Sequence, residues 1–169
     1  EEEYRVYDWL IGPGNEYRTL VVIYANTSSG MIHTSAVSSE GFNRSNLFME
    51  MPSLELETLE DYEAKNNRIY SLQNLFKYNG TYVIVNDSEI YEVFSVSQTK
   101  NFGDDWENYY ERCPESPCIR YFSRVGFNSN LDQALLEDNI NCPYVLAGQG
   151  NLILLEKKNG SWNVTDWMR

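Results

Sequence analysis

The sequence predicts an α+β fold in a single domain spanning residues 1–169, with one curved antiparallel sheet of C-terminal hairpins packed against a long helix and a shorter N-terminal helix. Three observations lead there. Apolar residues recur at helical spacing in the first half of the chain, and they alternate with polar ones at strand spacing in the last third. No low-complexity tract, Pro/Gly-rich linker or internal repeat divides the two regions.

Residues 2–11 place Tyr4, Tyr7 and Ile11 on one helical face, and Gly12-Pro13-Gly14 ends that helix. Residues 20–25 are a short apolar run with two Val and one Ile, the composition of a buried strand. Residues 26–52 are rich in Ser, Gly and Asn, have no period, and read as a surface excursion. The long helix is expected over 56–77, where Leu56, Leu59, Tyr62, Ile69, Leu72 and Phe76 form one stripe. Thr58 with Asp61 is read as a variant capping box, Asp61 and Lys65 as a pair across one turn, and Asn79-Gly80 as the stop.

Residues 82–85 then read as a strand and 104–110 as a short helix carrying Trp106 and Tyr110. Over 119–127 the alternation is nearly strict, with Ile119, Tyr121, Ser123, Val125 and Phe127 on one face and Arg120, Phe122, Arg124 and Gly126 on the other. Asn128-Ser129-Asn130 turns the chain into a returning strand that begins at 133–136. The last hairpin joins 152–158 to 161–167 through Asn159-Gly160, a dipeptide suited to a type I′ turn.

Composition excludes several classes of protein. With 42% hydrophobic residues the chain has enough apolar material for a core, which sets it apart from disordered sequences. Its apolar runs fall far short of the ~20 residues that a membrane-spanning helix needs. Twenty-five Asp plus Glu against 13 Lys plus Arg give a net charge of −12, which repels phosphate backbones and argues against a nucleic-acid partner.

The chain opens on Glu1, Glu2 and Glu3 and reads as a mature product or an excised domain, any signal peptide lying outside it. Asn-x-Ser/Thr occurs at Asn26, Asn43, Asn79, Asn86, Asn159 and Asn163, six sequons where the composition predicts roughly two by chance. The excess points to an extracellular or cell-surface location. Two of the six, Asn79-Gly80 and Asn159-Gly160, are also turn dipeptides, so turn chemistry accounts for part of it. Cys113 and Cys118 bracket Pro114-Glu115-Ser116-Pro117 and are expected to form a small disulfide ring that fixes a local turn. Cys142 is then a buried thiol, an intermolecular bridge, or the partner of one of the other two.

The segments Phe122-Ser123-Arg124-Val125-Gly126-Phe127-Asn128, Gln133-Ala134-Leu135, Gly148-Gln149-Gly150 and Leu154 to Trp162 together resemble a pattern found in predicted secreted bacterial proteins of unassigned function. Tyr4-x-Val6-Tyr7 and Asp61-Tyr62-x-x-Lys65-Asn66 are similar to that pattern too, and the resemblance covers about two-thirds of the chain. It implies a fold and an exported location but no catalytic residue, and the three Cys have no place in it. The final hairpin also resembles, more weakly, small cone-shaped α+β folds of the nuclear-transport-factor type, a likeness that speaks to fold alone.

Chemistry-bearing motifs are sparse. His33 is the only histidine, which leaves little room for a Cys-His nucleophile, a triad or a three-Cys, one-His zinc site with paired spacings. Asn128-x-Asn130-x-Asp132 resembles the start of a calcium loop, but Gln133 stands where Gly is needed and Asn139 where the bidentate Glu belongs, so a hairpin turn fits better. Neighbouring acids, Glu55 with Glu57, Glu60 with Asp61, Asp104 with Asp105 and Glu137 with Asp138, are what a small glycoside hydrolase would draw on. In so acidic a chain they also arise from composition. Gly148-x-Gly150 is too short for a phosphate loop.

Thirteen Tyr, 7 Phe and 4 Trp are the more informative excess, because rings with a polar handle serve both cores and binding surfaces. Trp106 and Trp162 read as core. Trp9, Tyr17, Tyr109, Tyr110 and Trp167 have polar neighbours or lie near ends and are the candidates for an exposed interface, with Cys142 as a possible covalent link. The expectation is a non-catalytic, acidic, N-glycosylated, exported domain with no metal or other cofactor. Its partners would be a glycan, another surface protein, or further copies of itself in a larger structure such as a filament. The alternative is a carboxylate-dependent glycoside hydrolase.

Overall fold

The computed structural model describes residues 1–12, 20–28, 44–94, 104–116, 118–142 and 149–169. It is a mixed α+β arrangement around one seven-stranded sheet. The elements in chain order are α1 (Glu2–Ile11), β1 (Leu20–Tyr24), α2 (Arg44–Glu50), α3 (Leu56–Lys65), β2 (Thr81–Val85), α4 (Asp87–Phe94), α5 (Asp104–Arg112), β3 (Ile119–Phe122), β4 (Gly126–Phe127), β5 (Gln133–Asn141), β6 (Gln149–Lys158) and β7 (Ser161–Met168). The strand order is β2-β1-β3-β5-β6-β7, with β4 also paired to β5. β1 runs parallel to both β2 and β3, and every other pairing is antiparallel, so the sheet is mixed and not wholly antiparallel.

Strand alternation sorts the core between the two faces. Val21 and Ile23 of β1, Ala134 and Leu136 of β5, and Ile153 and Leu155 of β6 share one cluster with Val6, Tyr7 and Ile11 of α1. The intervening residues face the other way. There Leu135, Leu152 and Leu154 meet Leu47, Leu59 and Tyr62 of α2 and α3, while Val22 and Ile119 meet Trp106 and Tyr109 of α5. Helices on both faces explain why β1 and β6 read as continuous apolar runs and not as alternating ones.

The expected long helix stops at Lys65. Asn66 caps it, its backbone N–H and its Nδ2 both donating to the Tyr62 carbonyl while its Oδ1 accepts the Arg124 amide. Leu72, Phe76 and Tyr78 still bury against the α1 cluster, but along an irregular strip, and Ile69 and Leu75 are exposed. The helical spacing of 69, 72 and 76 was therefore coincidental. The expected capping box is also absent: Thr58 Oγ1 and the Glu55 amide both donate to Oε1 of Gln133, which caps α3 from across the fold.

Residues 119–127 do not form one strand. Phe122 pairs with Asp138 and Gly126 with Leu135, so four steps on one side oppose three on the other. The extra residue reverses the alternation. Phe122 and Phe127, expected on opposite faces, both enter the α1 cluster. The final hairpin has its expected turn, with Asn159 at φ 53° and Gly160 at φ 82°. Helix α4 has no counterpart in the periodicity reading. A reciprocal cap starts it, the Glu89 amide donating to Asn86 Oδ1 and the Asn86 amide to Glu89 Oε2.

The disulfide joins Cys118 to Cys142 and leaves Cys113 as a free thiol, which corrects the expected Cys113–Cys118 ring. Register explains the choice. Ile119 pairs with Asn141, so one step outward Cys118 and Cys142 stand directly opposite, with Cα atoms 4.4 Å apart, the spacing of a non-hydrogen-bonded antiparallel pair. The 113–118 turn is instead held by Ser116, whose amide donates to the Cys113 carbonyl and whose Oγ donates to the Cys118 carbonyl. Burial raises the Cys113 thiol above its ordinary range, which disfavours the reactive thiolate. Replacing Cys118 and Cys142 together by Ser is expected to cost roughly 3 kcal/mol on the chain-entropy account, read as a lower urea midpoint. Cys113→Ser should leave that midpoint nearly unchanged.

Candidate functional site

Asp61, Tyr62, Lys65 and Asn66 of the sequence pattern meet its Ser123 to Asn128 segment at the joint between α3, β4 and β5, where they hold the fold together. Asp61 Oδ2 accepts the Phe127 amide at 2.7 Å and the Lys65 ammonium at 2.6 Å, and Lys65 also donates to the Val125 carbonyl. Tyr62 donates its hydroxyl to Glu137 Oε1 at 2.5 Å. Burial, and then the Glu137 charge, raise the Tyr62 phenol far above its ordinary value, so it stays a neutral donor. Ser123 and Glu137 exchange bonds, the Glu137 amide donating to Ser123 Oγ and the Ser123 amide to the Glu137 carbonyl. Tyr7 reaches the same corner from α1, its hydroxyl 2.8 Å from the Ser123 carbonyl. Glu3 Oε1 accepts the Val125 amide and Arg124 Nε. These polar groups are engaged with one another across the joint.

Asn128 caps the turn that follows. Its Oδ1 accepts the amides of Asp132 and Gln133, both at 3.1 Å, and its Nδ2 donates to Glu55 and Asp132. The oxygen that a cation would need is thus occupied by backbone. Among the described residues no group of three His, Cys, Asp or Glu is arranged to hold a metal ion.

Glu55, Glu57, Asp61, Glu137 and Asp138 of the neighbouring acids are also engaged, and Glu60 is exposed. On β5, Glu137 and Asp138 point to opposite faces: Glu137 takes the Tyr62 hydroxyl, and Asp138 receives Arg120 in a bidentate pair at 2.9 and 2.6 Å. Glu57 accepts the Ser129 hydroxyl and Glu55 the Asn128 amide. The side chains of Asp104 and Asp105 lie outside the described residues. Burial raises the Asp8 carboxyl above its ordinary range, but both of its oxygens accept the Lys77 amide, so it anchors the 72–78 strip to α1.

The aromatic candidates separate cleanly. Trp106 and Trp162 are core, as their patterning predicts. Tyr109 is buried, contrary to expectation, because its ring packs edge-on against Trp106 and its hydroxyl donates to the Cys118 carbonyl. Tyr110 is half-buried beside both rings. Trp9 is half-buried against the α1 cluster and lines a shallow groove with Asp8, Lys77, Tyr78 and Asn79. Tyr17 and His33 lie outside the described residues. Cys142, bonded to Cys118, is not available to link copies of the chain.

Trp167 is the exception, with 55% of its surface open. The irregularity between Leu154 and Leu155 re-aims the end of β7, so that Trp167 stands opposite Ile153 on the α1 face of the sheet. A shallow groove of about 310 Å³ lies there, lined by Asn151, Ile153, Val164, Trp167 and Arg169. The Arg169 guanidinium sits 5.4 Å from the indole centre. Ile153 and Val164 make an apolar floor, Trp167 a flat wall, and Asn151 and Arg169 supply polar groups at the rim.

The chain matches no family model, no curated protein and no solved structure.

Of the sequons, Asn79, Asn86, Asn159 and Asn163 are exposed, while Asn43 lies outside the described residues. Asn26 is half-buried and tied down, its Nδ2 donating to Asp87 at 3.0 Å and its Oδ1 accepting the Ser71 hydroxyl at 2.8 Å. Sequence spacing marks all six alike; only the fold distinguishes Asn26 from the exposed four.

Proposed function

We propose that the protein is an exported, acidic, N-glycosylated domain that acts without catalysis, in recognition at the cell surface or outside the cell, and that it binds a neutral saccharide against Trp167. The observation that carries this reading is the half-open Trp167 indole in a groove with an apolar floor and two polar rim residues. A sugar ring presents C–H groups on its faces and hydroxyls around its edge. An indole face stacks on the former, and the amide of Asn151 and the guanidinium of Arg169 are donors for the latter. The net charge of −12 repels polyanions at long range and so favours a neutral ligand.

Cross-linking of copies through Cys142 is not part of this proposal, because that sulfur is held within the chain. Export is supported by four exposed sequons and an intramolecular disulfide. The test is a titration of the folded protein with a panel of neutral oligosaccharides, followed by indole N–H chemical shifts. At least one sugar should perturb the Trp167 signal, and Trp167→Ala should weaken its binding at least tenfold, or about 1.4 kcal/mol, with little change in stability. If no sugar perturbs that signal, or if Trp167→Ala binds as well as the parent, the reading is wrong.

A further inference from the structure

The sheet has two outer strands, and they are protected differently. Among the described residues no strand pairs with the free side of β2 or of β7. β7 carries a register irregularity and the charge of Asp166, two devices that discourage a second chain from adding to an edge. β2 has neither. Its sequence, Thr81-Tyr82-Val83-Ile84-Val85, contains no charge and no Pro, and it pairs with β1 in unbroken register. An uncharged, β-branched strand with an open edge is a template for strand addition and aggregation.

What flanks β2 supplies the missing protection. Asn79 lies two residues before it and Asn86 immediately after it, each exposed and each in a sequon completed by exposed Thr81 or Ser88. The Asn86 cap on α4 uses Oδ1 and not the Nδ2 that would carry a sugar. The two Asn are seven residues apart along an extended segment, so glycans there would bracket an edge of about 20 Å.

We propose that Asn79 and Asn86 are glycosylated and that their glycans guard the β2 edge against pairing with a second chain. This inference rests on the exported-glycoprotein reading above. In each modification the side-chain Nδ2 bonds to C1 of an oligosaccharide carried on a lipid diphosphate. The C1–O bond to the diphosphate breaks, and the amide gives up one proton. Bulky, solvated sugar at both ends of β2 then excludes an approaching strand.

The protein secreted from a glycosylating host is analysed by peptide mass spectrometry for occupancy and by light scattering for mass against concentration. Occupancy is expected at Asn79 and Asn86 and not at Asn26, with the mass of a single glycosylated chain. The pair Asn79→Gln, Ser88→Ala removes both sugars and keeps the Asn86 cap; its mass should at least double as concentration rises. Thr81→Lys with Ser88→Ala also lacks both sugars but places a charge on the edge, and it should remain a monomer. Enzymatic trimming of the folded parent repeats the comparison without any substitution that affects folding.

Absence of sugar at Asn79 and Asn86 overturns the inference, and absence at Asn159 and Asn163 as well removes glycosylation from the proposed function. Occupied sites whose trimming leaves the protein monomeric overturn the inference alone.

Discussion

Asp138→Ala is expected to destabilise the protein by about 3–5 kcal/mol, the cost of stranding a buried charge. Arg120 and Asp138 are 7% and 3% exposed, and the carboxylate takes both Nε and a terminal nitrogen of the guanidinium. The other terminal nitrogen donates to the Leu10 carbonyl, which ties the pair to the end of α1. Truncating Asp138 leaves the guanidinium in the sheet with, among the described residues, the Leu10 carbonyl as its one hydrogen-bond acceptor. Replacing both residues at once, with Arg120→Met and Asp138→Leu, removes the charge together with its partner and should recover most of the loss. Urea unfolding of the two variants decides the matter. A double variant as unstable as the single one would mean that the pair itself, and not the stranded charge, accounts for the effect.

Gly126→Ala is expected to cost about 3 kcal/mol, at the upper end for overpacking. A Cβ built on Gly126 would lie 2.4 Å from Tyr62 Cβ and 2.5 Å from both Tyr62 Cα and N. Two of these three contacts are helix backbone, which no rotamer change can relieve. To admit a methyl group α3 must lift off β4. The Asp61 bond to the Phe127 amide, the Asn66 bonds to Arg124 and the Tyr62 bond to Glu137 all span that joint. Gly160→Ala is the control. It has open space around it and only a left-handed φ of 82°, so it should cost about 1 kcal/mol. Thermal unfolding followed by near-UV circular dichroism compares them, and equal losses would remove the steric explanation.

Close packing at Gly126 also shows why the sequence pattern resisted a functional reading. Asp61, Tyr62, Lys65, Asn66, Ser123, Arg124, Gly126, Asn128 and Gln133 are polar or small residues of the kind found in sites, and their spacing gives no hint that they face one another. Many of the contacts that occupy them are distant in sequence, spanning 58 residues from Asn66 to Arg124, 80 from Ser53 to Gln133 and 121 from Glu3 to Arg124. A pattern of this sort encodes a joint. The surface at Trp167 lies outside it, and only a position near the end of the chain and polar neighbours marked that residue. The same criterion selected Tyr109, which the fold buries, because polar neighbours in sequence do not reveal which face of a short helix meets the sheet.

What the sequence determined by itself is whatever depends on local repeats and local turn chemistry. The 3.6-residue spacing in Glu2–Ile11, the apolar run in Leu20–Tyr24, and Asn159-Gly160 between two alternating stretches specify α1, β1 and the last hairpin, because each element's conformation is decided within its own residues. The tertiary structure alone decided where α3 ends, how the strands are ordered, which cysteines pair and which aromatic ring stays open. Each depends on a partner distant in sequence. Asn66 stops a helix because Arg124 is there to bond it, and Cys118 meets Cys142 because the register of β3 on β5 leaves them opposite. One extra residue between Phe122 and Gly126 reverses a face that strict alternation had assigned, since a strand's two-residue period carries no record of a bulge.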